Sequence, residues 1–460
     1  MASKITFSIG GIHPNDSKLA RERAIEVLPL PEVVYVSMAQ HLGAPAKPVV
    51  AVGDSVKTGQ VIAEPGGFIS AFVHSPVTGT VKSIGPRKDL AGNNVTHIEI
   101  VRTGEDEWAE GIDLSEDLVT AIPDDREAML AHIKACGVVG LGGATFPTHV
   151  KLNPGPAAKP ECLILNGAEC EPFLTSDYRI LLEQTDKIVV GAAIMQKILG
   201  CRCVIGIEEN KPEAIEAVKA SVARLGYQNM VVQTLKKRYP QGGEKQLIDA
   251  VMRRQVKSGA LPISVGAVVQ NVATSLAVYD AVQKNRPLIT NTLTVTGNCL
   301  PVEAQHNYLF RIGMPLSYIA AYAGGVPEGA AKIVSGGPMM GKAIANMDAC
   351  TVKGSSSLLY LSEESTRRAP ATNCIRCGRC ASACPMGLEP FLLARLYRAG
   401  DNDGLEANAV QDCIECGCCL YSCPANIPLL DNIRQAKGQV MGIIRARAAA
   451  AKAAAEAAKK

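Results

Sequence analysis

Cys374-Ile375-Arg376-Cys377-Gly378-Arg379-Cys380-Ala381-Ser382-Ala383-Cys384-Pro385 is matched, residue type for residue type at every cysteine, by Cys413-Ile414-Glu415-Cys416-Gly417-Cys418-Cys419-Leu420-Tyr421-Ser422-Cys423-Pro424. Three thiolates at this spacing wrap three iron corners of a [4Fe–4S] cube from one loop. The fourth lies on the following helical turn, from which it reaches the neighbouring cube rather than its own. The expected ligand sets are therefore crossed: Cys374, Cys377, Cys380 and Cys423 for cluster one, and Cys413, Cys416, Cys419 and Cys384 for cluster two. Zinc also binds Cys-x-x-Cys pairs, but as four ligands in two pairs, not as two four-cysteine repeats each closed by Cys-Pro. Ile375 and Ile414 are expected to keep water off the cubes. Gly378 and Gly417 are expected to leave amides free for the sulfurs. Cys418 is out of register and reads as a non-ligand.

The segments around the two runs are helical in pattern. Pro390 suits a first helical position, with Phe391, Leu392, Leu393 and Leu396 as an apolar face, and Ile427, Leu430 and Ile433 form a second stripe. Residues 360–440 thus read as an all-α, ferredoxin-type dicluster domain. The remaining seven of the 16 cysteines are scattered through 460 residues. A disulfide scaffold would be a small exported chain with cysteines throughout, so the clustering indicates metal binding in a reducing compartment. A net charge of +3 gives no reason to expect a nucleic-acid partner. Met1–Gly10 lacks a signal-peptide core, and no stretch approaches the roughly 20 apolar residues of a membrane span. Work at a membrane would require docking on one.

Upstream, residues 1–30 read as an N-terminal arm with a Gly10-Gly11-Ile12-His13-Pro14 turn and a charged helical patch. Residues 31–105 alternate Val and Ile with Gly-Asp turns, the pattern of a small β domain. Their grammar (Gly53-Asp54-x-Val56-x-x-Gly59-Gln60-x-Ile62, then Pro76-x-x-Gly79-Thr80-Val81) resembles the lipoyl-like barrel-sandwich. The family's carrier lysine has no counterpart at Pro65-Gly66-Gly67-Phe68, so the domain is expected to be scaffold. Residues 120–285 alternate buried strands with amphipathic helices, which argues for a Rossmann-like α/β sheet. Residues 286–345 turn strand-rich again. Residues 441–460 form a basic Ala/Lys-rich tail with no apolar face, expected to be frayed or disordered.

Clusters pass single electrons, so a source is needed. Gly140-Leu141-Gly142-Gly143-Ala144-Thr145-Phe146-Pro147-Thr148-His149-Val150-Lys151 is a glycine-rich loop of the kind that lets backbone approach a phosphate or a flat ring. A strand then ends in Asn166-Gly167-Ala168-Glu169-Cys170-Glu171-Pro172, polar residues where α/β sheets bind ligands. Together with Tyr239-Pro240-Gln241-Gly242-Gly243-Glu244 and Val268-Val269-Gln270-Asn271-Val272-Ala273-Thr274, these segments resemble the flavin-binding subunit of complex I.

That resemblance implies FMN contacts at Gly140, Gly142, Gly143, Lys151, Asn166, Glu169, Gly243, Glu244, Asn271 and Thr274, and NADH contacts at Phe146 and Glu171. Ala168, Lys245 and Gln270 depart from the family pattern. Over nearly the whole chain, the Gly10–Pro14 turn, the barrel-sandwich, Asp177-Tyr178-Arg179 and the double cysteine run resemble the RnfC family, the peripheral component of the Rnf electron transport complex. Its β-grasp (SLBB-type) domain is similar to the stretch around Thr294–Gly325. The resemblance implies an NADH-dependent iron–sulfur flavoprotein oxidoreductase, peripheral on the cytoplasmic face of the bacterial plasma membrane. It would pass electrons between NAD(H), FMN and two [4Fe–4S] clusters. The implied partners are the other Rnf subunits (the ferredoxin-like RnfB and the integral membrane subunits) and ferredoxin or flavodoxin. The alternative is a cobalamin-reducing flavoprotein of bacterial microcompartments, which shares the glycine loop, β domains and clusters; the Gly10–Pro14 turn favours the first.

Overall fold

The computed structural model describes residues 4–457. Its centre is a four-stranded, wholly parallel sheet in the order Met230–Leu235, Arg202–Glu208, Cys162–Gly167, Ala267–Asn271. Parallel strands buried on both faces need continuous apolar runs, and Cys162-Leu163-Ile164-Leu165 and Cys203-Val204-Ile205 supply them, each residue 3% exposed or less. Helices Thr185–Leu199 and Val272–Lys284 pack together on one face. Gly191 permits this close approach, because a Cβ there would overlap the Ser275 carbonyl. The chain builds outward from Cys162–Gly167 on one side, then returns to place Ala267–Asn271 on the other. The topological switch point therefore lies between these two strands, where an open α/β sheet has its ligand crevice.

The barrel-sandwich consists of a four-stranded sheet (Val33–Ser37, Asn94–Arg102, Gly79–Lys88, Ser55–Val56) and a three-stranded one (Lys47–Pro48, Val61–Glu64, Val73–His74). Val34, Val36, Ile62, Val81, Ile98 and Ile100 fill the space between them. Strands of the third domain run in the order Ile25–Val27, His306–Arg311, Thr290–Gly297, Ser357–Ser362, Ala330–Ser335, Lys342–Ala343. This sheet takes in Ser357–Ser362, past the boundary expected at residue 345, and Ile25–Val27 from the arm.

The arm is accordingly built into the body of the protein. Ile5 bridges to Leu235, Ile12 to Tyr239, and Ile25–Val27 pairs in parallel with His306–Arg311. Its charged patch forms turns rather than the helix expected, because Lys18 leaves the surface. Its amine donates to the carbonyls of Glu169, Glu171 and Leu174 at 2.8, 2.9 and 2.6 Å.

Five helices make the C-terminal domain: Arg379–Ala383, Pro390–Ala399, Asn402–Ala407, Cys418–Tyr421 and Leu429–Ala457. The last continues through the segment expected to be frayed, up to Ala457; residues 458–460 of that tail lie outside the described residues. Its first half packs through Leu429, Leu430, Ile433, Ala436 and Val440. That nucleates the helix, and Ala, Lys and Arg then propagate it without further packing. No helix among the described residues is long and apolar enough to cross a membrane.

Lys353 joins three of these units. It is 1% exposed, and its amine donates to Phe72 of the barrel-sandwich and Gly137 of the α/β domain at 2.8 and 2.7 Å. Burial pulls its pKa down to about 7. Between that value and the ordinary lysine range of about 10.4, the unfolded chain binds the proton and the folded chain does not. This group therefore makes the fold more stable as pH rises through that window, by at most about 1.4 kcal/mol per pH unit. Lys353→Met should flatten the alkaline slope in a plot of melting temperature against pH; an unchanged slope would exclude the lysine as its source.

Candidate functional site

The four segments singled out from the sequence converge at the switch point. Asn166 and Asn271 end their strands as register partners. Asn166 donates to the Gly242 carbonyl at 2.9 Å and accepts from the Ala168 amide at 3.1 Å. Asn271 caps helix Val272–Lys284 by accepting from Ala273 N–H at 2.7 Å, and donates to Asp177 at 2.7 Å. Buried Thr274 accepts from Leu141 N–H at 2.9 Å, which pins the glycine loop to the same helix. Lys151 pairs with Glu244 at 2.7 Å. Gly140 N–H donates to the Phe146 carbonyl, closing the loop, and Phe146 itself is half-buried.

The crevice has the features of a flavin mononucleotide cradle. Gly142 and Gly143 are exposed; a Cβ on Gly142 would stand 3.2 Å from Asn271, and Gly143 has a φ of +113° that side chains rarely adopt. Helix Glu244–Met252 begins at Gly243 with no side-chain cap, so its first amides are free to bind an anion. Two buried donors nearby in sequence, Gln241 Nε2 and Gln270 Nε2, have no partner among the described residues. The residues present fit FMN.

The two acidic candidates have other partners. Glu169, with φ +45° and its side chain 3% exposed, accepts from the Asp177 and Tyr178 amides at 2.7 and 3.3 Å and lies 3.9 Å from Lys18. Burial, reinforced by the Glu169 charge, lifts Asp177 to about 7. Glu171 accepts from the Met339 and Met340 amides at 3.0 and 2.9 Å and lies 3.3 Å from the Tyr239 hydroxyl; burial lifts its carboxyl to about 6. Sequence reasoning passed over Lys18, Lys211 and Gln246, and gave Tyr239 no role of its own. Lys211, 3% exposed, donates to the Ala168 carbonyl at 2.7 Å. No local pattern marks a surface lysine as one that will be buried.

Tyr239 and Gln246 carry this wall across to the cysteines. The Tyr239 hydroxyl donates to the Cys416 carbonyl at 2.9 Å, and Gln246 Nε2 to the Pro385 carbonyl at 3.1 Å. On the same side, Gly11 N–H donates to the Ala383 carbonyl at 2.9 Å. The two cysteine runs have the same backbone: Arg376 and Glu415 at φ +56° and +57°, Gly378 and Gly417 at +72° and +78°. Burial raises the pKa of Cys413, Cys419 and Cys384, with neighbouring thiols of the set adding to it, and these three line one pocket with Cys416, Cys418, Leu388, Leu393, Ile414, Leu430 and Ile433. Burial, with the Cys423 thiol nearby, raises the pKa of Cys380. Amides already aim at sulfur, with Glu415 N–H to Cys413 and Leu388 N–H to Cys384 both at 3.4 Å. The second donor set fits one cubane, and of the first set Cys380 and Cys423 pack in the core of the same domain. Cys418 is buried, and its thiol donates to the Tyr239 carbonyl at 4.0 Å.

Ile414 is half-buried in the second site, whereas Ile375 is 67% exposed. Cys374 and Cys377 on either side of it are exposed as well. The second run packs against the α/β domain through Ile414, Cys416 and Cys418, whereas the first does so only at its end, Ala383–Pro385.

Asn271→Ala should cost about 1 kcal/mol for the lost cap and free the Asp177 carboxylate. Flavin retained through desalting, relative to protein, is expected to fall; full retention would remove Asn271 from the cradle.

Four family models match the chain in order: the RnfC barrel sandwich hybrid domain over residues 6–105, the Nuo51 FMN-binding domain over 133–280, the SLBB domain over 292–343 and a 4Fe-4S dicluster domain over 367–438. It is thus a multidomain iron–sulfur flavoprotein of the oxidoreductase class. The chain is 45% identical to the C subunit of the proton-translocating ferredoxin:NAD(+) oxidoreductase complex of Clostridium ljungdahlii, covering 84% of this chain and 83% of that one. It is 40% identical to the Na(+)-translocating counterpart of Acetobacterium woodii, covering 94% and 96%. With the C subunit of the ion-translocating oxidoreductase complex of Rhodobacter capsulatus it shares 41% identity over 95% and 83%. The chain belongs to this family, RnfC, the C subunit of the Rnf complex.

Proposed function

We propose that the chain is the peripheral, NAD(H)- and FMN-handling subunit of a membrane-bound ferredoxin:NAD⁺ oxidoreductase, working at the cytoplasmic face. One observation carries this reading: the flavin-type crevice and the set Cys384, Cys413, Cys416 and Cys419 share a wall made by one short segment, Tyr239–Gln246. FMN exchanges two electrons with NAD(H) and releases them singly, and [4Fe–4S] clusters carry single electrons.

The chain's own residues bind and position. Gly140, Gly142 and Gly143 admit a flat ring, the helix start at Gly243–Glu244 takes the phosphate, and Lys151 adds a cation beside it. Asn166, Asn271 and Thr274 hold the loops in register, and Glu169 braces the loop after Asn166. Phe146, half-buried beside the glycines, offers a face to NADH. Glu171 would meet NADH only by releasing the Met339 and Met340 amides, so its first role is to hold the wall. Cys374, Cys377, Cys380 and Cys423 ligate one cluster; Cys413, Cys416, Cys419 and Cys384 ligate the other. No side chain need act as acid or base.

Anaerobic purification with flavin and iron assays tests this. The expected result is one FMN and about eight irons per chain, with NADH bleaching the visible spectrum. Absence of both flavin and NADH bleaching would overturn it.

A further inference from the structure

The two cysteine runs share a backbone but not an environment. From Arg367 to Arg398 the chain carries six arginines and a single carboxylate, Glu389; from Asn402 to Pro428 it carries Asp403, Glu406, Asp412 and Glu415 and no lysine or arginine. The acidic run is the one packed inward: Cys416 and Cys419 are 7% and 8% exposed, and Glu415 and Glu406 are paired with Arg434, Lys437 and Arg447. The basic run is open from Arg367 to Arg379. Arg367, Arg376, Arg379, Arg395 and Arg398 are all exposed, and none makes an ion pair among the described residues. Only Arg368 is engaged, with Asp431.

Helix Pro390–Ala399 extends this patch. Phe391, Arg395 and Arg398 recur at helical spacing on one exposed face, with Phe391 42% exposed. Cys380 packs against Leu393 and Leu396 of this helix. The helix therefore lies against a proposed ligand of cluster one. Exposed Ile375 lies between Cys374 and Cys377. The result is a small apolar centre at the cysteine loop with unpaired guanidinium groups around it. That arrangement suits a transient encounter steered by charge.

We propose that this face docks an acidic electron-carrier protein, and that cluster one is the port through which electrons cross. The inference rests on the proposed function, which places a cluster on Cys374, Cys377, Cys380 and Cys423. Cluster two, walled in against the α/β domain, then lies between flavin and port. In the exchange, two reduced carriers each lose one electron; NAD⁺ takes both with one proton, leaving NADH and two oxidised carriers.

The test uses the full chain with an acidic bacterial two-[4Fe–4S] ferredoxin as probe, comparing wild type with Arg395→Glu/Arg398→Glu. These positions are solvent-facing and outside the cysteine loops. The KM for reduced ferredoxin in NAD⁺ reduction should rise about tenfold at low salt, with kcat little changed and the salt dependence flattened. NADH-driven reduction of a small uncharged quinone should be unaffected. Calorimetric binding of oxidised ferredoxin reads docking without turnover and should weaken in parallel. Unchanged KM and unchanged binding would overturn the proposal. So would loss of binding to anionic phospholipid vesicles with ferredoxin kinetics intact, which would make the patch a membrane contact. Absence of quinone reduction in the wild type, with ferredoxin binding still sensitive to the charge reversal, would count against the proposed function and leave the docking face standing.

Discussion

Replacing Cys384 with alanine is expected to remove cluster two, although Cys384 closes the first cysteine run. Iron should fall from about eight to about four per chain, and the surviving cluster should be the one on Cys374, Cys377, Cys380 and Cys423. The reason is where the thiol sits. Cys384 interacts with Cys413, Cys416 and Cys419 in one apolar pocket, while Cys380 has Cys423 for its neighbour. Cys423→Ala is the reciprocal case and should spare cluster two. Electron paramagnetic resonance of the reduced variants distinguishes the clusters. If each variant instead lost the cluster of its own run, the crossed assignment would be wrong.

The second large effect is predicted at Gly10. Its φ of +67° costs a side-chain-bearing residue about 1–2 kcal/mol, and a Cβ there would overlap the Cys384 carbonyl and the Pro385 nitrogen. These are backbone atoms at a proposed cluster ligand, so they cannot yield without moving it. Arg238 fixes the Gly10 carbonyl from the other side. Gly10→Val should therefore make cluster two labile and expose the arm to proteolysis. Gly85→Ala, where a Cβ meets open space, should change neither. A Gly10→Val protein with full iron content and a protected arm would refute the wedge.

The cysteine repeat, the glycine loop and the asparagine-ended strand were readable from sequence because each is local. Spacing within a dozen residues determines which thiols reach one cube and where backbone is bare. The sheet order and the third domain's extent were less so: Ser357–Ser362 and Ile25–Val27 join a sheet whose other strands lie far away in the chain. Glu171 illustrates the difficulty. Its sequence context is that of a ligand loop, yet its carboxylate is held by amides 168 and 169 residues away. Lys18 and Lys353 look like ordinary surface lysines, and only tertiary packing shows that each binds carbonyls inside the fold. Ile375 and Ile414 are equivalent in the repeat and differ in exposure because the α/β domain meets the second run at Ile414 and Cys416 but the first only at Ala383–Pro385.

The central claim is that electrons run between the flavin crevice and the outside through cluster two. The most direct measurement compares two activities of Cys384→Ala with those of wild type: NADH-driven reduction of a small uncharged quinone, and NAD⁺ reduction by reduced ferredoxin. The account predicts that the first persists, since the crevice is intact, while the second falls roughly 100-fold, the upper end for a disrupted metal site. Ferredoxin-driven NAD⁺ reduction at the wild-type rate, in a protein shown to lack cluster two, would contradict it.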